Sequence, residues 1–236
     1  MVNNLNDRKE KYERLTEYLC KTDEISVIAR LDSLRYFNYF YDINFDSDYI
    51  PHYVYAAYDD CGILPHENNR YDIFVNELSN KMNINCNILE VGGGTKYRTA
   101  SRIAKMQSGT IEVFDKQLYT TSSPYSNLKL YKVNFDHMTD IRKYNLIEGQ
   151  YPCQATELMI KRALEENKDL FIHICQCVHP IAPFLNMDLS HFGERSKEYQ
   201  EEVIDYYIKQ AKEYGRTIDV FKNNNLTNPF IYSHRK

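Results

Sequence analysis

The chain contains no tryptophan, and it has only eight glycines and seven prolines among 236 residues. No apolar run reaches the roughly 18 residues of a membrane-spanning helix, so we predict no membrane span. The first twenty residues are charged and polar and resemble no export signal. We therefore expect a cytoplasmic protein whose six cysteines are reduced thiols.

The charge is small overall but unevenly distributed. The net charge is −4, while residues 1–84 carry nine Lys and Arg against fifteen Asp and Glu, a net of −6. An acidic N-terminal third is poorly suited to binding a phosphate backbone. Nucleic acid is therefore a less favoured partner than a small molecule or a peptide.

Residues 1–84 and 85–236 follow different hydrophobic patterns. In the first segment apolar residues recur at helical spacing and predict helices over 7–21, 23–41 and 70–82. In the second segment short apolar strands alternate with helical segments, which indicates βαβ units and a parallel sheet. The predicted strands are 87–91, 110–115, 128–133, 145–149 and 169–175, and the predicted helices are 95–107, 153–166 and 196–214.

The last predicted elements differ from those before them. Residues 217–221 and 228–232 are short apolar segments on either side of Lys222-Asn223-Asn224-Asn225, which predicts an antiparallel hairpin. We therefore predict an α/β fold. A Rossmann-like parallel sheet with a C-terminal antiparallel hairpin occupies residues 85–236, and an α-helical N-terminal subdomain precedes it over residues 1–84.

A dense group of aromatic residues lies between Leu34 and Tyr58. Its members are Tyr36, Phe37, Tyr39, Phe40, Tyr41, Phe45, Tyr49, Tyr53, Tyr55 and Tyr58. A stacking platform for single-stranded nucleic acid needs basic residues among the aromatics, and here aspartates are interleaved. We predict that residues 1–84 form a helical cap that recognises the substrate. The alternative is an aromatic core seam between helices.

The segment Ile88-Leu89-Glu90-Val91-Gly92-Gly93-Gly94-Thr95 predicts a nucleotide pocket. Glycines after an apolar strand let the backbone turn tightly and let a ligand approach the main chain. The free N–H groups of the following helix point at that ligand. Asp115 lies twenty-one residues beyond Gly94, where a carboxylate at the end of the next strand can hold two ribose hydroxyls.

Two ligand classes use such a pocket. Dinucleotide enzymes need Gly-x-Gly-x-x-Gly, and Tyr97 stands where the third glycine belongs. The loop instead resembles the first motif of class I S-adenosylmethionine-dependent methyltransferases, roughly Glu/Asp-x-Gly-x-Gly-x-Gly. Glu90, Gly92 and Gly94 match that motif, while Lys96 replaces its last glycine. Asp115 and the closing hairpin fit the same family.

The resemblance implies a set of residues that bind S-adenosyl-L-methionine. They are Glu90, Gly92, Gly93, Gly94, Asp115, Lys116, Asn134, Phe135 and Asp136. It implies that Glu90 lies beneath the loop, near the methionine part of the ligand or its water. It assigns the ribose hydroxyls to Asp115 and the adenine to Phe135 and Asp136. Simpler roles stay open, with Asp115 as a turn carboxylate, Asp136 as a helix cap and Phe135 as a core residue.

The loops after the fourth and fifth predicted strands supply the substrate side. Residues 152–157 and 175–179 read Pro-Cys-Gln-Ala-Thr-Glu and Cys-Gln-Cys-Val-His, and they resemble, more weakly, loops of tRNA ribose methyltransferases. Such loops meet at the pocket mouth of a parallel sheet. In the family the loop after strand four faces the transferable methyl group. We therefore predict Gln150, Tyr151 and His179 as catalytic residues, with His179 handling a proton.

The same region contains several side chains of the kinds that bind zinc. They are Cys153, Cys175, Cys177, His173 and His179. Their spacing differs from the usual Cys-x₂-Cys pairs of zinc sites. We therefore predict no metal and interpret the cysteines as small apolar fillers near the pocket.

These observations predict an S-adenosylmethionine-dependent methyltransferase that acts on a small molecule or peptide. Methyl transfer from a sulfonium chiefly requires alignment of the acceptor with the S–CH₃ bond. One alternative is an RNA methyltransferase, which requires a basic face over residues 96–106. Four basic residues lie there, namely Lys96, Arg98, Arg102 and Lys105. The other alternative is a non-catalytic module that keeps the fold and binds a nucleotide or a partner.

Overall fold

The computed structural model describes residues 2–21, 27–42, 52–63, 69–94, 96–175, 192–226 and 228–236. The chain divides into two compact units. The helical unit comprises residues 1–73 with 224–227, and the sheet unit comprises residues 74–223 with 228–236. None of the described helices is long and apolar enough to cross a membrane.

The helical unit is built on three helices. They are α1 (Val2–Lys21), α2 (Val27–Asp42) and α3 (His52–Asp60). Their shared core consists of Leu15, Leu19, Phe37, Val54, Ala57, Tyr58, Ile63 and Tyr71. We predicted no helix at α3. The turn signals before Pro51 obscured it, although proline is well tolerated at a helix start and Val54, Ala57 and Tyr58 follow at helical spacing.

Two members of the aromatic group belong to the core of the helical unit. Phe37 and Tyr58 are buried and meet edge to face, with ring centroids 6.3 Å apart. The Tyr58 hydroxyl donates a 2.7 Å hydrogen bond to the carbonyl of Ser33. For these two residues the structure agrees with a core seam. The side chains of Tyr39, Phe40, Tyr41, Phe45, Tyr49, Tyr53 and Tyr55 lie outside the described residues.

The sheet unit contains a seven-stranded sheet. Its strands are β1 (Ile88–Val91), β2 (Ile111–Phe114), β3 (Leu128–Tyr131), β4 (Leu146–Gln150), β5 (Asp169–His173), β6 (Asp219–Phe221) and β7 (Phe230–Ser233). The remaining described helices are α4 (Arg70–Lys81), α5 (Arg98–Met106), α6 (Thr156–Glu165) and α7 (Phe192–Glu213). All five predicted parallel strands and the three helices predicted after residue 85 are thus confirmed, with shifts of a few residues at their ends.

The strand order is β3-β2-β1-β4-β5-β7-β6. Strands β1 to β5 pair in parallel, whereas β7 runs antiparallel to both β5 and β6. This arrangement confirms the predicted Rossmann-like sheet with a C-terminal antiparallel hairpin.

The two faces of the central strands differ in chemistry. Strands β1 and β4 are buried along their whole length, as expected for parallel strands covered on both sides. One face packs Leu89, Val91 and Ile147 into the main apolar core. The opposite face carries Glu90 and Glu148, which are direct partners in the strand register. Two carboxyl groups therefore lie inside the sheet unit where neighbouring positions are apolar.

Candidate ligand-binding site

The strand order reverses between β1 and β4. The chain winds outward from β1 through β2 to β3, and from β4 through β5 on the other side. In open α/β sheets, ligands bind in the crevice beyond the carboxyl ends of the strands at such a reversal point. The glycine loop follows β1, and the predicted substrate loop follows β4. Both predicted halves of the site therefore begin at the position that the topology favours.

The glycine loop turns sharply over the end of β2. Gly94 has a φ of +67°, and a Cβ built there would meet nothing within 4 Å, so the loop leaves open space on that side. Its N–H donates a 2.8 Å hydrogen bond to Asp115 Oδ2. Thr95 lies outside the described residues, and Tyr97 also has a positive φ, 39°, just before α5. Gly92, Gly94 and Tyr97 thus all have left-handed backbone.

Gly93 fills a space that admits no side chain. A Cβ there would lie 2.5 Å from Val113 Cγ1 and 2.9 Å from Glu90 Oε1. The loop backbone therefore rests directly on the Glu90 carboxylate. Glu90 also accepts a hydrogen bond from the N–H of Ala100 in the first turn of α5. Glu90 thus links the end of β1, the loop and the helix that follows.

Asp115 holds the turn after β2 as well as the glycine loop. Its Oδ1 accepts a 2.7 Å hydrogen bond from the N–H of Gln117, while Oδ2 accepts the one from Gly94. The carboxylate is partly exposed, and these two bonds fix its orientation. The next residue, Lys116, is exposed. The turn role left open for Asp115 is therefore present, and the partial exposure leaves room for a ligand hydroxyl.

The predicted adenine loop after β3 forms a turn that is closed by side-chain hydrogen bonds. Asp136 Oδ1 accepts hydrogen bonds from the N–H of Met138 at 2.9 Å and from the Thr139 hydroxyl at 3.1 Å. Asn134 is exposed, whereas Phe135 is buried in the main core. Asp136 therefore caps a turn, and not the helix that the alternative interpretation proposed.

Arg162 on α6 is bound to this loop by hydrogen bonds to its backbone carbonyls. Its guanidinium donates to the carbonyl of His137 at 2.9 Å and to that of Thr139 at 2.8 Å. Glu166 holds the same guanidinium at 2.6 Å. We did not predict this role, because the arginine lies more than twenty residues away in an ordinary amphipathic helix.

The loop after β4 packs against the glycine loop. A Cβ on Gly92, whose φ is +78°, would lie 3.2 Å from Pro152 Cα. Tyr151 and Cys153, on either side of Pro152, have φ values of 56° and 50°. Left-handed backbone at non-glycine residues is strained and tends to cluster at ligand sites. Gln150, the last residue of β4, is buried beside this loop.

His173 at the end of β5 contacts the predicted catalytic Tyr151. Its Nε2 lies 3.3 Å from the Tyr151 hydroxyl and 3.2 Å from the carbonyl of Asn228. A carbonyl only accepts, so Nε2 carries the proton and donates to it. Its ring also stacks on Phe230 with centroids 4.1 Å apart. We had considered His173 only as a metal ligand, and its proximity to Tyr151 follows from the β4–β5 register.

Two predicted groups are only partly within the described residues. His179 and Cys177 lie outside them, so the structure does not place these two residues. Cys153 is partly exposed and Cys175 is buried. Across the described ranges no three His, Cys, Asp or Glu side chains are grouped as a metal site.

The basic residues near α5 do not share one exposed face. Arg98 is only 9% exposed, and Arg102 donates to the Arg98 carbonyl at 3.2 Å. Lys105 is exposed and lies over the Tyr125 ring. One of the four residues of the basic face that the RNA alternative predicts, Arg98, is therefore buried.

Glu148 is a further buried residue of this region that the sequence did not predict. Glu90 and Glu148 are 2% and 0% exposed. Burial raises the pKa of Glu90 to about 8, and the charge of Asp115 adds to the rise. Burial and the neighbouring Glu90 raise the pKa of Glu148 well above its ordinary value. A single glutamate in the apolar run Leu146-Ile147-Glu148 attracted no notice, because only the β1–β4 register reveals its partner.

Comparison with known proteins found similar solved structures but no match by sequence. No protein-family model matches the sequence, and no curated protein matches it either. Similar solved structures include a methyltransferase from Pyrococcus furiosus, 13% identical over 67% of this chain and 80% of that chain, with a TM-score of 0.46. A ribosomal protein L11 methylase from Lactobacillus delbrueckii subsp. bulgaricus is 13% identical over 72% and 81%, with a TM-score of 0.42.

A third similar structure is precorrin-6y C5,15-methyltransferase from Geobacter metallireducens GS-15. It is 9% identical over 70% of this chain and 87% of that chain, with a TM-score of 0.42. At these TM-scores the likeness carries no conclusion about ligand or activity. The strand order and the antiparallel β7 are observed in the chain itself, and they describe a Rossmann-like sheet with a C-terminal antiparallel hairpin.

Proposed function

We propose that the sheet unit binds S-adenosyl-L-methionine at the β1–β4 reversal point and transfers its methyl group to a small molecule or peptide. One observation carries the proposal. The glycine loop and Asp115 are joined by the Gly94–Asp115 hydrogen bond at the mouth of that crevice. A carboxylate fixed beside glycine backbone suits a ribose next to a chain that must approach the ligand closely.

The residues that would hold the ligand divide into three groups. Gly92, Gly93 and Gly94 bring the backbone close, and Glu90 supports them from below. Asp115 and Lys116 would meet the ribose end. Asn134 and Asp136 would meet the adenine, while Phe135, being in the core, would offer an edge at most.

The acceptor side would be formed by the loop after β4. Gln150 ends that strand and Tyr151 follows it, with the Tyr151 hydroxyl 3.3 Å from His173 Nε2. His179 completes the proposed acceptor residues. Their work is to align the acceptor and exclude water, and a base is needed only when the acceptor carries a proton at neutral pH.

The helical unit is proposed to select the acceptor. The segment 1–84 has a net charge of −6, which favours a cationic or amphipathic molecule over a nucleic acid. A methyl-transfer screen with cationic, neutral and anionic acceptors, repeated at high salt, tests this step. Preference for anionic acceptors or RNA would contradict it.

Calorimetric titration with S-adenosylmethionine and, separately, with NAD tests the ligand. We expect saturable binding of the first and none of the second. Methyl transfer from labelled donor to fractionated small molecules, peptides and RNA then tests activity. Absence of binding would refute the proposal, and binding with no transfer to any fraction would favour the non-catalytic module.

A matched pair of glycine variants sharpens the ligand test. Gly94→Ala and Gly215→Ala each place a Cβ on a backbone with φ above +60° in the sheet unit. Both should lower the free energy of unfolding by about 1 kcal/mol, since each strains a left-handed residue. Only Gly94→Ala should weaken S-adenosylmethionine binding, by about tenfold or more. Equal affinities in the two variants would argue against a ligand at this loop.

A further inference from the structure

The Glu90–Glu148 pair spans the reversal point of the sheet. The two residues are direct partners in the parallel register of β1 and β4, so their side chains leave the same face side by side. Both are almost completely buried. Glu148 lies beside Phe171 on its other flank, in the register of β5. The pair is therefore enclosed by protein on both sides.

Hydrogen-bond donors are missing around this pair. Glu90 receives the N–H of Ala100, but Glu90 Oε2 and both carboxylate oxygens of Glu148 have no donor among the described residues. An ionised carboxylate only accepts hydrogen bonds, so two ionised groups cannot satisfy each other. Two adjacent buried charges without a cation are also strongly unfavourable.

One proton resolves both problems. A protonated carboxyl group becomes a donor and can give its O–H to the neighbouring carboxyl group. Glu148 is the natural carrier of that proton, because no other donor reaches either of its oxygens among the described residues. Glu90 already accepts from the Ala100 N–H, which favours it as the acceptor.

We propose, resting on the proposed function, that Glu148 is a positioning residue. It stays protonated at neutral pH, donates a hydrogen bond to Glu90, and thereby holds Glu90 beneath Gly93 in the orientation that the S-adenosylmethionine loop needs. Glu148 itself does not touch the ligand, since it is fully buried under the loop.

The charged groups around the pair agree with this assignment. Asp115 at the end of β2 acts on Glu90 as a further negative charge and raises the pKa of Glu90 together with burial. His173 lies two residues beyond Phe171 on the same face of β5, where it bonds to Asn228 and contacts Tyr151. From α5 the contact is the uncharged N–H of Ala100.

Infrared spectroscopy of the ligand-free protein tests the proton. At neutral pH the wild type should show the carbonyl band of a protonated carboxylic acid, and Glu148→Gln should reduce that band. Glu112→Gln is the matched control, because Glu112 is a buried glutamate of the same sheet whose pKa is lowered, and its removal should leave the band unchanged. Equal bands in the wild type and Glu148→Gln would overturn the assignment.

Ligand titration tests the positioning role. Glu148→Gln keeps a neutral donor of the same shape, so its affinity for S-adenosylmethionine should stay within about threefold of wild type. Glu148→Leu removes the donor and should bind about tenfold more weakly, the loss expected for roughly one hydrogen bond. Equal loss in both variants would mean that Glu148 acts through a charge. Unchanged binding in both would mean that it positions nothing.

The two readouts separate this inference from the proposed function. If the wild type binds no S-adenosylmethionine, the proposed function and the positioning role both fail, while the infrared band still decides where the proton is. If Glu148→Gln does not fold, Glu90→Gln replaces it in the infrared measurement. Because the proton lies on Glu148, the band should persist in Glu90→Gln at a shifted frequency, since the partner of the O–H has changed. Loss of the band, or a band of unchanged frequency, would overturn the assignment.

Discussion

Two groups of buried glutamates in the sheet differ in how their negative charge is compensated. Glu112 is paired with a lysine, whereas Glu90 and Glu148 are adjacent to each other. Glu112 on β2 is 3% exposed, but it receives Lys143 Nζ at 2.8 Å and the Tyr144 hydroxyl at 2.7 Å. Burial acts to raise the pKa of Glu112, yet these bonds and the nearby lysine charges outweigh it and lower the pKa. Among the described residues no such cation pairs with Glu90 or Glu148, and both pKa values rise.

The difference follows position in the fold. Glu112 lies inside β2, away from the glycine loop, where a lysine reaching in from solvent costs the protein little. Glu90 and Glu148 lie under the proposed ligand, where a bound cation would fill space and fix a charge. A buried glutamate of a sheet can therefore either stabilise the fold or support a ligand site. A lysine partner indicates the first role, and a second carboxyl group indicates the other.

The largest expected effect is on the pH dependence of stability. The Glu90–Glu148 pair keeps a shared proton in the folded state, whereas unfolded glutamates release theirs near the ordinary value of 4.5. The folded state then binds more protons, so the free energy of unfolding should fall as pH rises from about 4.5 to about 8. The slope is about 1.4 kcal/mol per pH unit for each retained proton.

Urea unfolding of wild type and Glu148→Gln at a series of pH values measures this slope. The slope of the free energy of unfolding against pH should be smaller in the variant by about 1.4 kcal/mol per pH unit, the contribution of one proton. If the free energy of unfolding of the wild type and of Glu148→Gln changed equally with pH, Glu148 would behave like an exposed glutamate, and the contrast with Glu112 would fail.

A middle-sized effect is expected at the cation of the other cluster. Lys143→Met leaves buried Glu112 with only the longer ion pair to Lys129, whose Nζ lies 3.8 Å from Glu112 Oε1. Because Lys143 is 56% exposed, we expect a loss of only about 1 kcal/mol. The pKa of Glu112 is lowered, so its contribution is present above about 4.5 and is lost as pH falls. The variant should show less acid destabilisation than wild type in urea unfolding.

Lys161→Met is the matched control for that measurement. Lys161 is 54% exposed and pairs with Glu165 on the surface of α6, so its removal should cost at most a few tenths of a kcal/mol. A similar loss in both lysine variants would mean that burial of Glu112 does not matter.

The smallest effect is expected at a hydroxyl. Tyr144→Phe removes the 2.7 Å hydrogen bond to Glu112 and should lower the free energy of unfolding by about 1 kcal/mol. Tyr214→Phe removes a longer bond, 3.3 Å, to the exposed Glu165 and should be nearly neutral. Thermal unfolding of both variants tests whether loss of the buried Tyr144 hydroxyl lowers stability more than loss of the Tyr214 hydroxyl.

Local patterns in the sequence predicted the sheet well. Alternation of short apolar runs with helical segments identifies strands from Ile88 to His173, and Lys222-Asn223-Asn224-Asn225 marks the hairpin. The glycine loop and Asp115 could also be predicted from local sequence. The loop directly follows β1, and Asp115 directly follows β2, the next strand along the chain.

Contacts between distant segments could not be predicted in the same way. Glu148 meets Glu90, and Arg162 supports the loop after β3, through register and packing that no local pattern contains. Arg98 counted as part of an exposed basic stripe, whereas the orientation of α5 buries it. Side-chain burial in a helix depends on what covers it, and spacing alone does not specify that.

The contact between Gly92 and Pro152 joins the loops of two different strands. With no side chain at Gly92, the proline ring rests on bare backbone, and a Cβ would already crowd it at 3.2 Å. Pro152 itself lies between Tyr151 and Cys153, which both have left-handed backbone. The glycine loop and the loop after β4 are therefore packed directly against each other, so a larger residue at position 92 would disturb both halves of the proposed site at once.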